Sequence, residues 1–131
     1  MRKYLIDSDI LIDFLNNRAE AIRLLIKFEE SEMAISVITF AEILEGLVGD
    51  RKKYLNVRKG LSKLSMLAID ANIAEKFASV RAILRKKGEL IENMDIFIAA
   101  TAMSHDLILV TNNKRDFERI KDLKLYKGFS N

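Results

Sequence analysis

Short runs rich in β-branched and large apolar residues recur along the chain at residues 3–6, 33–38, 67–69 and 107–110, with a weaker one at 123–126. Apolar runs this short, bounded by polar residues, predict strands. The stretches between them carry helical spacing. Residues 19–29 set Ile22, Leu25, Ile26 and Glu29 on one side of a helix, and residues 74–87 gather Phe77, Val80, Ala82 and Leu84 away from Arg81, Arg85, Lys86 and Lys87. Segments 9–15 and 40–48 carry apolar residues on more than one side, suited to packing on the sheet, to a groove or to a contact between two copies. Strands alternating with helices predict an α/β fold, with a mainly parallel central sheet flanked by helices. With no Pro, few Gly, no Ser/Gly-rich linker and no internal repeat, residues 1–131 read as a single domain.

Residues 96–103 are apolar around nearly the whole helical circumference, so this helix is expected to be buried on most sides. Asp95 stands where it enters the interior. A carboxylate there needs a helix N-terminus, a cation or hydrogen-bond donors to offset its loss of water.

Composition narrows the chemistry. Half of the 131 residues are apolar and 31% are charged, which disfavours disorder. The absence of Cys excludes disulfides, thiolate nucleophiles, iron–sulfur clusters and Cys-ligated zinc. A lone His105, late in the apolar helix, suits a surface place near a helix C-terminus, and the five Met residues suit the core. No uncharged run approaches the ~18 residues of a membrane span, since the one ending at His105 meets Asp106. Asp7, Asp9 and Asp13 interrupt the apolar start, so no secretion signal and a cytoplasmic location are expected. The net charge is only +3. The positive charge concentrates locally, at Arg51, Lys52, Lys53, Arg58, Lys59 and Lys63, and again at Arg81 to Lys87. Such clusters serve either as solvated faces or to attract a phosphate backbone.

In a parallel α/β sheet, chemistry collects beyond the carboxyl ends of the strands. Asp7 and Asp9 follow the first predicted strand, Glu42 follows the second, Asp70 ends the third, and Thr111, Asn113 and Asp116 follow the fourth. Asp95 opens the helix before that fourth strand. Carboxylates sharing one rim raise one another's pKa unless a cation neutralises them, and oxygen-only ligands select Mg²⁺ or Mn²⁺. Each acid also has a plainer role available. Asp7 and Asp70 suit helix N-caps, and Asp116 suits a helix first turn. Glu42 is a poor cap within an apolar stretch, which leaves it least explained by local structure.

The segments Leu5-Ile6-Asp7-Ser8-Asp9, Ser36-Val37-Ile38-Thr39-Phe40-Ala41-Glu42 with Gly46, Asp95 to Ala102, and Val110-Thr111-Asn112-Asn113-Lys114-Arg115-Asp116-Phe117 occur in that order. In this the chain resembles PIN-domain ribonucleases, specifically the VapC toxins of toxin–antitoxin modules, over nearly its full length. The resemblance implies a PIN-like three-layer sandwich. It implies that Asp7, Glu42, Asp95 and Asp116 bind Mg²⁺ or Mn²⁺, that Thr111 and Asn113 support them, and that a metal-activated water cleaves RNA to leave a 5′-phosphate and a 3′-hydroxyl. Asp9 departs from the commoner Asn or Ser, either helping to hold a second ion or capping the first helix. Glu45 and Asp70 have no part in the quartet. A cognate VapB-type antitoxin that blocks the acidic pocket, and a homodimer, are also implied.

A phosphoacceptor receiver domain is the main alternative, with Asp7, Asp9, Asp70 and Thr111 in its key places. It leaves Glu42 and Asp95 unexplained and lacks a suitable late Lys. A short metal-dependent phosphatase built on Asp7-Ser8-Asp9, and a binding module built on the basic clusters alone, are further alternatives.

Overall fold

The computed structural model describes residues 1–129. Strands β1 (Tyr4–Ile6), β2 (Met33–Ser36), β3 (Ser65–Leu67) and β4 (Ile108–Val110) form one sheet in the order β3-β2-β1-β4. Every pairing is parallel. The register sets Leu5 beside Ala34 and Leu109, and Ile6 beside Val110. Because successive strand residues face opposite ways, this register sorts the core into two layers. Leu5, Ala34, Leu67 and Leu109 pack with Val80, Leu84, Ile96, Ile98 and Phe117. Ile6, Ile35 and Val110 pack with Ile10, Leu11, Leu24, Ile43, Val57 and Leu61.

Helices α5 (Ala71–Lys87), α6 (Asn93–Ser104) and the short α7 (Lys114–Phe117) supply the first layer. Helices α1 (Ser8–Leu15), α2 (Ala19–Leu25), α3 (Val37–Glu45) and α4 (Arg51–Leu61) supply the second. Phe77 and Phe97 stack at 3.9 Å between ring centroids and pin α5 to α6. In α6 the run from Ile98 to Ala102 has no exposed residue, as its all-round apolarity predicts. His105 caps the far end of that helix through its backbone. None of the described helices is long and apolar enough to cross a membrane.

The boundaries differ from the sequence expectation where capping chemistry overrides apolar runs. The run 33–38 does not stay extended. The Ser36 hydroxyl accepts the Ile38 N–H at 3.0 Å and starts α3 at Val37, so Glu42 lies on a helix two residues longer at its start than strand propensity suggests. The third strand lies at Ser65–Leu67, two residues earlier than 67–69, and Asp70 caps α5 by accepting the Ile73 N–H at 2.9 Å. Helix α2 ends at Leu25, and Glu29 instead forms a reciprocal capping box with Glu32 around a 3-10 turn. Residues 123–126 make no full strand, only a bridge between Leu109 and Leu125.

Candidate active site

The strand order places β1 between β2 and β4, so the chain steps outward through β2 to β3 and later returns to the other side of β1. The reversal leaves a crevice beyond the carboxyl ends of β1 and β4, where open α/β sheets hold their ligands. Asp7 follows β1 and Thr111 follows β4. The Asp7 N–H donates to the Val110 carbonyl at 3.0 Å, and the Thr111 hydroxyl donates to Asp7 Oδ2 at 2.8 Å. Asp7 is only 4% exposed. Its Oδ1 accepts the Ser8 N–H at 2.8 Å, so it is at once the N-cap of α1 and the innermost acid of the crevice.

The other predicted residues gather around this pair. Asp9, in the first turn of α1, accepts the Ile10 N–H at 2.8 Å on one oxygen and the Asn112 N–H at 3.0 Å on the other. It therefore ties the loop after β4 to α1 and leaves the capping of α1 to Asp7. The Thr111 hydroxyl has one proton, committed at short range to Asp7, while its oxygen accepts the Asn113 N–H at 3.0 Å. The Asn113 side-chain amide donates to Asp116 Oδ2 at 3.3 Å. Ser8 donates its hydroxyl to Glu42 Oε1 at 3.3 Å, linking α1 to α3. Asp95 lies in the first turn of α6, half-buried.

The electrostatics bind these acids into one group. Burial pushes the Asp7 carboxyl up to about 7, helped by the charges of Asp9 and Asp95 and opposed by the Thr111 and Ser8 hydrogen bonds. Asp95 is pushed up to about 6, first by burial and then by Glu42, Glu92, Asp116 and Asp9. Burial also raises Asp9 and Glu42 above the ordinary carboxylate range. Sequence reading missed two contributors. Glu92, at the N-cap of α6 with no capping hydrogen bond, adds its charge to both Glu42 and Asp95. Its spacing of three residues from Asp95, one helical turn, was the available signal. Ser8 was masked by the acids on either side of it.

Among the described residues, ion pairs form only between Arg119 and Asp116, at 3.9 Å, and between Lys124 and Asp106, at 2.7 Å. Asp7, Asp9, Glu42 and Asp95 thus share a rim without forming an ion pair, and the cation placed in a common recess with one of them, Lys53 with Glu42, makes no ion pair with it. The donor set is oxygen only, which fits a hard divalent cation. Among the described residues, no three acidic or His side chains form a ready-made ligand group.

The PIN domain model matches residues 4–123. The chain belongs to the PIN-domain family. Within this family it is 36% identical to Ribonuclease VapC2 of Haemophilus influenzae, over 95% of this chain and 96% of that protein. It is 32% identical to the tRNA(fMet)-specific endonuclease VapC of Shigella flexneri, again over 95% and 96%. Its fold matches a DNA-bound VapBC complex from Salmonella typhimurium with a TM-score of 0.87, at 34% identity, covering 96% of this chain and 98% of that one. The PIN fold also disfavours the receiver alternative. A receiver sheet sets its third strand directly beside the first, whereas here β2 separates β3 from β1, and Asp70 caps α5 away from Asp7.

Proposed function

We propose that the chain is a Mg²⁺- or Mn²⁺-dependent endoribonuclease that acts as the toxin of a toxin–antitoxin module and is held in check by a VapB-type antitoxin. The observation that carries this is the convergence of Asp7, Asp9, Glu42 and Asp95 at the switch point, none of them held in an ion pair. Asp7, Glu42, Asp95 and Asp116 would hold the ion. Such an ion, when bound, lowers the pKa of water and offsets charge developing on a phosphoryl oxygen. The chain's own part is positional. Thr111 fixes the Asp7 carboxylate, Asn113 orients Asp116, and Ser8 steadies Glu42. His105 lies at the end of α6 opposite Asp95, too far along the helix to join them as a general base. Products with a 5′-phosphate and a 3′-hydroxyl are therefore expected. The RNA named for the Shigella relative supports RNA as the substrate class.

The antitoxin has a fitting surface. Leu11, Phe14, Leu25, Ile26, Val57 and Leu61, from α1, α2 and α4, line an apolar groove of about 530 Å³. Segment 9–15 lines this groove through Leu11, Phe14 and Leu15, and on its other side Ile12 and Leu15 line a second recess with Ile43 and Leu47 of segment 40–48. The groove suits the apolar face of a helical segment, and the VapBC complexes that share this fold support a toxin–antitoxin pairing. A homodimer is part of the same proposal, read out as twice the monomer mass in solution. The deciding experiment is RNA digestion by the purified chain with Mn²⁺, with EDTA, and with Asp95→Asn. Cleavage is expected only in the first case. Full activity of Asp95→Asn, or cleavage that persists in EDTA, would overturn the assignment.

A further inference from the structure

Next to Asp9 lies a recess whose wall includes none of the residues proposed to hold the metal. Its volume is about 290 Å³, just below the ~300–1,000 Å³ typical of small-ligand pockets. That is room for one flat group, not for a folded partner. The recess is joined to the rim through Asp9, whose two oxygens accept the N–H groups of Ile10 and Asn112, both of them wall residues. The wall combines three chemistries: the ring of Phe129, the cations Arg23 and Lys27, and the carboxylates Asp13 and Glu20. Two acids against two bases give a bare phosphate little net attraction. A planar group with donors and acceptors along its edge finds partners for both. Lys114 Nζ stands 4.3 Å from the Phe129 ring centroid, and Lys114 opens α7, which also carries Asp116.

We propose that this recess is a nucleobase subsite: a base flanking the cleaved phosphodiester unstacks from the RNA and lies against Phe129. Its edge meets Arg23, Lys27, Asp13 and Glu20, and Lys114 meets the adjoining phosphate. Single-stranded RNA is read in this way, by stacking on aromatic rings and by hydrogen bonds to exposed base edges. The subsite rests on the nuclease assignment, and it makes Phe129 and Arg23 specificity-determining residues.

The test uses the full chain with Mn²⁺ on a randomised single-stranded RNA pool, with the cut positions mapped by sequencing. Steady-state kinetics on the best-cut oligonucleotide complete it. Phe129→Ala should raise KM about tenfold with kcat little changed, and should flatten the base preference at one position beside the cut. Phe129→Tyr, which keeps the ring, should restore both. Arg23→Gln, an exposed change on α2, should alter which base is preferred and carries the same test if Phe129→Ala lowers the melting temperature. Unchanged KM and base preference in these variants would overturn the subsite and leave the nuclease standing. A wild-type chain that cuts no RNA would overturn both.

Discussion

The acid rim and the apolar groove are the two unfinished surfaces of this molecule, and they are unfinished for different physical reasons. On the rim, carboxylates stand together without a counter-ion, and the cost grows as they ionise. In the groove, Ile26 is 72% exposed and Phe14 38%, and the cost is uncovered area that pH does not change. Helix α1 serves both: Asp7 caps its start, while Leu11, Phe14 and Leu15 face the groove. On the proposed function, two partners of opposite chemistry, a cation with its anionic substrate and an amphipathic segment, would meet at neighbouring sites on one helix. Each can be perturbed while the other is left intact.

The strongest test of that separation is Asp7→Asn. Cleavage is expected to fall at least about 10²-fold, while binding to an antitoxin in the groove stays unchanged. The same variant also reports on the cost of the rim. Asp7 holds its proton more tightly folded, near pH 7, than unfolded, near 3.8. The stability that this proton confers is complete below pH ~4 and is lost as pH rises through 7. In EDTA at pH 8 the Asn variant should therefore melt above wild type, by an increment on the order of a few kcal/mol, and the advantage should vanish near pH 4. Coincident melting curves across that range would show that the rim carries no such cost.

A smaller effect is expected on the groove side. Ile26→Asp should leave cleavage and the fold within ~0.5 kcal/mol of wild type but weaken antitoxin inhibition by about 10–100-fold, measured by titrating antitoxin against RNA cleavage. Loss of cleavage in that variant would show that the two surfaces are one. The smallest change is expected at Asp70→Ala. Removing the α5 cap should cost about 1 kcal/mol in denaturant unfolding and leave turnover unaltered. A turnover defect would bring α5 into the site.

The polar site residues at strand ends were legible because the acids Asp7 and Asp116 and the hydroxyl of Thr111 follow compact apolar runs, and because the all-round apolarity ahead of His105 marks α6 and sets Asp95 at its entrance. Segment 33–38 was harder to read. Val37 and Ile38 have strand propensity, and only the Ser36 hydroxyl on the Ile38 N–H turns them into helix. Ser8 escaped notice because nothing local distinguishes a Ser between two acids, and Glu92 because its one-turn spacing from Asp95 is the sole local mark it carries. Their roles arise from neighbours 34 to 50 positions away in sequence, Ser8 beside Glu42 and Glu92 acting on Glu42.

By itself the sequence determined the α/β class, the buried character of α6, and the presence of carboxylates where strands give way to helices. Those properties depend on spacing and capping within a few residues. Only the tertiary structure decided which strand ends meet. Parallel strands are paired across long connections, so the order β3-β2-β1-β4 is not written in any local pattern. That order brings Asp7 against Thr111 and leaves Asp70 as a cap; with β3 beside β1, the same acids would have assembled a different site.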